Sequence, residues 1–133
     1  MANQPGGGRG MRIAGYALSG LVILFLLMDG IMKQLGLPIV AETTAQLGWK
    51  PETAQPLGLL LLVCTALYIW PRTAILGAIL ITGYLGGAVA THVRIESPLF
   101  SHVLFGVYIG LLAWGGLWLR DPALRALLPY RAG

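Results

Sequence analysis

Four apolar runs, each long enough to cross a bilayer as a helix, leave this chain few ways to fold. A spanning helix needs about 20 mostly apolar residues. The runs Ile13–Met32, Thr53–Trp70, Thr73–Val93 and Pro98–Leu119 all come close to that length. Inside lipid every backbone N–H and C=O must find its partner within the protein, which a helix achieves by itself. The expectation is therefore all-α: a four-helix transmembrane bundle occupying residues 11–120. Charged residues make up only 11% of the chain and hydrophobic residues 56%, whereas a soluble domain carries about 25% charge. The net charge of +4 does not point to nucleic acid, because the basic residues sit singly at the ends of apolar runs and form no stripe or known motif. The bilayer is the expected partner.

The breaks between the runs set the connectivity. Spans two and three are separated by "WPRT", where Pro71 stops a helix and Arg72 prefers headgroups; a tight antiparallel hairpin follows. Spans three and four are joined by "RIESP" and are also neighbours. Residues 1–10, "MANQPGGGRG", have little to bury and read as a disordered tail. Arg9 and Arg12 ahead of an apolar core resemble a signal peptide. However, "MDGIMKQ" follows where small residues should mark cleavage, so the segment reads as an uncleaved anchor. Lys and Arg gather at cytoplasmic ends of spans. Arg9, Arg12, Arg72, Arg120, Arg125 and Arg131 fall on one side, and Lys33, Lys50 and Arg94 on the other. Both termini are thus expected in the cytoplasm. Leu37, Ile39, Val40, Leu47 and Trp49 suit a short interfacial helix in the first outer loop. In the tail 121–133, Asp121 is a candidate N-cap with Pro122 at the first helical position. That segment reads either as an amphipathic foot on the membrane or as a solvated tail.

This topology collects polar residues near one leaflet: Asp29, Lys33, Gln34, Gln55, Thr91, His92, Arg94, Ser101 and His102. The middle of the membrane holds little except Cys64, Thr65, Thr82, Tyr84 and Tyr108. Asp29 and Lys33 are one helical turn apart and can pair, which matters because a carboxylate at mid-span costs about 2.5–3.5 kcal/mol. The pair is either a structural lock between spans one and three or the edge of a ligand pocket. On span three, Gly83, Gly87, Ala90 and Arg94 share one stripe, and Tyr84, Ala88 and Thr91 share another. Gly83/Gly87 and Gly106/Gly110 are G-x-x-x-G pairs, for which close helix packing is the expectation and self-association an option. His92 falls opposite Gly83 on the helical wheel and should face a different neighbour; it could meet His102 across the outer turn. Ligand spacing for a metal is lacking, so no metal is assigned. The lone Cys64 allows no disulfide or dithiol within the chain. Neither a P-loop nor a nucleophile elbow occurs, so no catalytic residue is assigned.

"DGIMKQLG" closing span one, "LGWKP" in the outer loop and "ITGYLGGAVATHVR" in span three resemble the DoxX-like family of small bacterial membrane proteins. The likeness covers about residues 28–119. Lys33, Gly83, Tyr84, Gly86, Gly87, Ala88, His92 and Arg94 match its pattern. The resemblance implies a multi-pass protein of the bacterial inner membrane, with a leaning toward quinone and toward a membrane redox partner subunit. Combined with the polar layer, it gives a leading expectation: an accessory subunit that binds a quinone or lipid through Asp29, Lys33, Tyr84, Thr91, His92, Arg94 and His102. A redox-enzyme component, a small proton-coupled transporter and a purely structural assembly factor are the alternatives.

Overall fold

The computed structural model describes residues 5–131, and all regular structure within them is helical. The helices are α1 (Pro5–Gln34), α2 (Pro38–Gln46), α3 (Ala54–Ile69), α4 (Ala74–Arg94), α5 (Phe105–Arg120) and α6 (Pro122–Leu127). Short 3₁₀ turns at Pro51–Thr53 and Pro71–Thr73 lead into α3 and α4, and a π-helical turn at Leu99–Val103 leads into α5. Counting those turns, four helical segments are long and apolar enough to span a membrane: Gly8–Gln34, Pro51–Ile69, Pro71–Arg94 and Leu99–Arg120. They coincide closely with the four apolar runs.

The ends depart from expectation in one respect. Residues 5–10 form the first turns of α1 and are not a separate tail. The long apolar run supplies the nucleus from which a helix extends without a new nucleation cost, even through glycines of poor helix propensity, and Pro5 stands where its missing N–H is no loss. Residues 1–4 of the expected tail lie outside the described residues. After α5, Asp121 caps α6 as its side chain accepts a bond from the Ala123 N–H at 3.0 Å. Arg125 donates to the Trp118 and Leu119 carbonyls, both at 2.8 Å, which satisfies the open end of α5 and folds α6 back onto it.

The four long helices pack side by side in the order α1, α3, α4, α5, with α5 closing onto α1. At the end holding Pro71 and Arg120, hereafter the hairpin end, the packing is tight. Gly77 lets the α4 backbone touch the backbone of Tyr68 across the turn. Gly116 does the same for α5 against α1: a Cβ there would lie 2.5 Å from Ser19 Oγ. Val22, Leu61, Tyr68 and Ile81 are fully buried in this half.

The buried hydroxyls of this half form a satisfied chain that sequence reading missed. Tyr68 donates to the Ala113 carbonyl at 2.6 Å and lies 2.8 Å from Ser19 Oγ, while Arg120 Nε donates to that oxygen at 3.2 Å. The Arg120 guanidinium also stands 5.1 Å from the Tyr16 ring centre and 5.8 Å from that of Tyr68. Facing outward, large apolar residues such as Leu24 (68% exposed) and Leu111 (67%) cover the helices. A surface of this kind is stable against lipid and costly against water.

Candidate functional site

Opposite the hairpin end the helices part. The end formed by the C-termini of α1 and α4 and the N-termini of α3 and α5, hereafter the rim, surrounds a cavity of about 440 Å³. Its floor is apolar, with Phe25, Leu26, Leu57, Leu61 and Phe105. Its upper wall carries Asp29, Lys33, Thr91, His92 and His102, and Tyr84 lines it two turns lower on α4. Six of the seven residues singled out from the sequence therefore share one cavity.

On α1, Lys33 Nζ lies 2.7 Å from both carboxylate oxygens of Asp29. The pair lies along a single helix and does not lock span one to span three; α1 packs on α3 and α5 and faces α4 across the cavity. Attraction between opposite charges strengthens as water is excluded, so the pair presents itself to the cavity as a neutral dipole. Beside it, Gln34 Nε2 donates to the Gln55 carbonyl at 2.7 Å and ties the ends of α1 and α3 together.

The histidines do meet. Their ring centres are 5.7 Å apart, edge to face at 66°. Two local features bring this about. Glu96 takes a left-handed conformation (φ 57°), and the Ser97 N–H folds back onto the His92 carbonyl at 3.0 Å. Ser97 Oγ thereby reaches His92 Nδ1 at 2.9 Å. His102 sits in the π-helical turn, a widened coil that recurs at functional sites, with Nδ1 2.7 Å from Ser101 Oγ. Both rings are thus oriented through Nδ1, and each Nε2 is left without a protein partner among the described residues. Thr91 bonds the Gly87 carbonyl of its own helix at 2.8 Å. Tyr84 OH makes no hydrogen bond among the described residues. No group of three or more His, Cys, Asp or Glu is placed to hold a metal among them either.

Three expectations need correction. Arg94 does not line the cavity. Its Nη2 donates to the Leu47 carbonyl at 2.7 Å, and its guanidinium stands 6.0 Å from the Trp49 ring centre. Thr44 of α2 and, just after that helix, Leu47 and Trp49 do line the cavity, so Arg94 latches the segment that borders the rim. The reach of a long arginine across the helix end decides this, and helical phase alone cannot show it.

The pair Gly83/Gly87 does not mediate close packing. No atom lies within 4 Å of where a Cβ would stand at either position; they leave room, and only Gly106 and Gly110 of the two motifs touch a neighbour. Nor does His92 face away from them, since Gly83, Gly87 and His92 all line the same space. The cavity extends along more than two turns of α4 and bends under its end, so opposite phases on the wheel still open onto it.

Removing the Arg94 latch is expected to loosen this segment without unfolding the protein. Segment 37–49 is flanked by Gly36 and contains Gly48, both at positive φ (69° and 88°), where glycine moves at little cost. In Arg94→Ala, amide exchange over residues 38–49 should rise about tenfold, the effect of losing one hydrogen bond to a charged donor, while the hairpin end keeps its protection. Unchanged exchange in 38–49 would show that Arg94 holds nothing there.

Comparison with known proteins agrees with the fold. No curated protein and no solved structure matches the chain. The family model described as the DoxX-like family matches residues 17–116, a stretch that contains the whole cavity and most of each spanning segment. A match over that much of a four-span helical protein settles its kinship: the chain is a multi-pass membrane protein of the DoxX-like family.

Proposed function

We propose that this protein is a non-catalytic membrane subunit that holds an isoprenoid quinone at the rim for a redox partner. One observation carries the reading: the cavity is apolar below, neutral in net charge above, and lined by polar groups on facing walls that the protein itself leaves free. Lys33 on α1 has a donor to spare beyond Asp29, and on the other side stand the Nε2 atoms of His92 and His102, with Tyr84 OH deeper in the cavity. A flat ring with a carbonyl at each end suits donors on two walls. An anionic headgroup suits them less, since Asp29 already neutralises the one cation present. The volume of about 440 Å³ falls within the ~300–1,000 Å³ of small-molecule sites and is too small to enclose a long tail as well. With Cys64 as its only cysteine, the chain has no dithiol of its own, which supports electron exchange through a partner. The excess of Lys and Arg at the hairpin end supports a rim facing away from the cytoplasm. The short helices α2 and α6 then lie at opposite interfaces.

Solvent extraction of the purified protein followed by mass spectrometry is expected to yield one isoprenoid quinone per chain. The double variant Asp29→Asn/Lys33→Gln keeps the cavity neutral and the fold intact but removes the ammonium donor. Its affinity for quinone should fall about tenfold, equivalent to about 1.4 kcal/mol. Protein that carries no quinone and ignores added quinone would end this reading. A double variant that melts lower yet binds as well would mean that the polar layer only orders the helices.

A further inference from the structure

The wall of the cavity has a gap, and the gap faces the lipid. Six lining residues are exposed: Trp49 and His102 at the rim, Phe105 of α5, and, on the neighbouring α3 and α4 within the spanning stretches, Leu60 (51% exposed), Gly83 and Gly87. No atom lies within 4 Å of where a Cβ would stand at either glycine, so the α4 edge of the opening is bare backbone. The surface on either side of the gap is apolar: Leu59 and Val63 on α3, Ile79 and Leu80 on α4, all substantially exposed. These residues lie within the membrane-spanning stretches Pro51–Ile69 and Pro71–Arg94. At the rim, Leu47 and Trp49 stand beside the space and Arg94 secures their segment.

We infer that the cavity is loaded sideways from the bilayer, between α3 and α4, and that its ligand is a single-tailed amphiphile whose tail stays in the gap over Gly83 and Gly87. The inference rests on the cavity being a ligand site and deepens the quinone reading by placing the tail. A bulky or long-tailed ligand entering by the rim would have to displace Leu47 and Trp49, whose segment Arg94 ties down. Geometry separates head from tail: Gly83 and His92 are nine residues apart on α4, about 13 Å along the helix axis. A polar head between Lys33 and the histidines therefore leaves its chain running past Gly87 and Gly83. Glycine at those positions is what keeps the gap open, because any side chain would project into it.

Gly83→Leu/Gly87→Leu tests the route without threatening the fold, since both side chains grow into free space. A long-tailed isoprenoid quinone offered in phosphatidylcholine vesicles should bind the wild type and lose about tenfold or more in affinity in the variant. A tailless benzoquinone offered in water should bind both proteins equally. Equal binding of the long-tailed compound by both proteins overturns the side route while leaving the quinone reading intact. A second measurement does not depend on ligand identity. A nitroxide on Gly87→Cys, in a Cys64→Ala background reconstituted in vesicles, should be relaxed by oxygen dissolved in lipid and ignored by a water-soluble nickel chelate. Relaxation by the chelate, or by neither agent, would overturn the side route even if no quinone binds.

Discussion

Gly116→Leu should prevent the protein from being recovered as a monodisperse species, while Gly83→Leu should leave it unharmed. The two substitutions are chemically identical and fall on helices of similar length, so helix propensity does not distinguish them. What differs is the neighbour. At Gly116 a new side chain would start 2.5 Å from Ser19 Oγ, 2.8 Å from Ser19 N and 2.9 Å from the Gly15 carbonyl. Those are backbone and buried hydroxyl atoms with no freedom to retreat. To admit leucine, α1 and α5 must move apart along their longest shared face. Overpacking of this kind costs about 1–3 kcal/mol where side chains can adjust and more where backbones are involved. Gel filtration and thermal unfolding in one detergent would compare the two variants directly. Equal behaviour would show that the α1–α5 crossing is looser than its geometry indicates.

The second large effect is expected at Tyr68. Tyr68→Phe removes one oxygen and almost no volume, so core packing is preserved. It removes two hydrogen bonds, however: the Ala113 carbonyl keeps only the bond it accepts within α5, and Ser19 Oγ keeps only Arg120. Each intramolecular hydrogen bond contributes about 0.5–1.5 kcal/mol, and lipid on the outside offers no water as a substitute. Tyr68→Phe should therefore lower the melting temperature markedly. Ser19→Ala should cost less, because Tyr68 keeps its bond to Ala113. The order of the two melting points is the check: if Ser19→Ala proves the more damaging, Arg120 rather than Tyr68 is the anchor of this chain.

Much of the architecture was legible from the residues because hydropathy and length leave lipid-spanning helices little choice. The four runs, the Pro71 hairpin and the Asp121 cap all follow from local rules. The Asp29–Lys33 pair was legible for the same reason, since one turn of helix separates the two residues. What was not legible depends on distances between helices. Ser19 and Tyr68 are ordinary residues within apolar runs, and only the approach of Gly15 to Gly116 brings the serine onto the tyrosine. Arg94 carries the same charge whether it lines a cavity or ties down a loop. The G-x-x-x-G spacing at Gly83 and Gly87 is compatible with either contact or vacancy; sequence periodicity gives the face and is silent on what stands opposite it.

The contact of Gly77 with Tyr68 has a mechanical meaning. It makes the α3–α4 pair a pair of tweezers with its fulcrum near Pro71 and its jaws at Leu60 and Gly87. A small change of angle at the fulcrum is magnified at the jaws, and a guest wedged between the jaws would tilt α4 as one stiff lever. Its far tip carries His92 and Arg94, so the girth of the guest would be felt both by the imidazole pair and by the arginine that fastens the segment beside the rim.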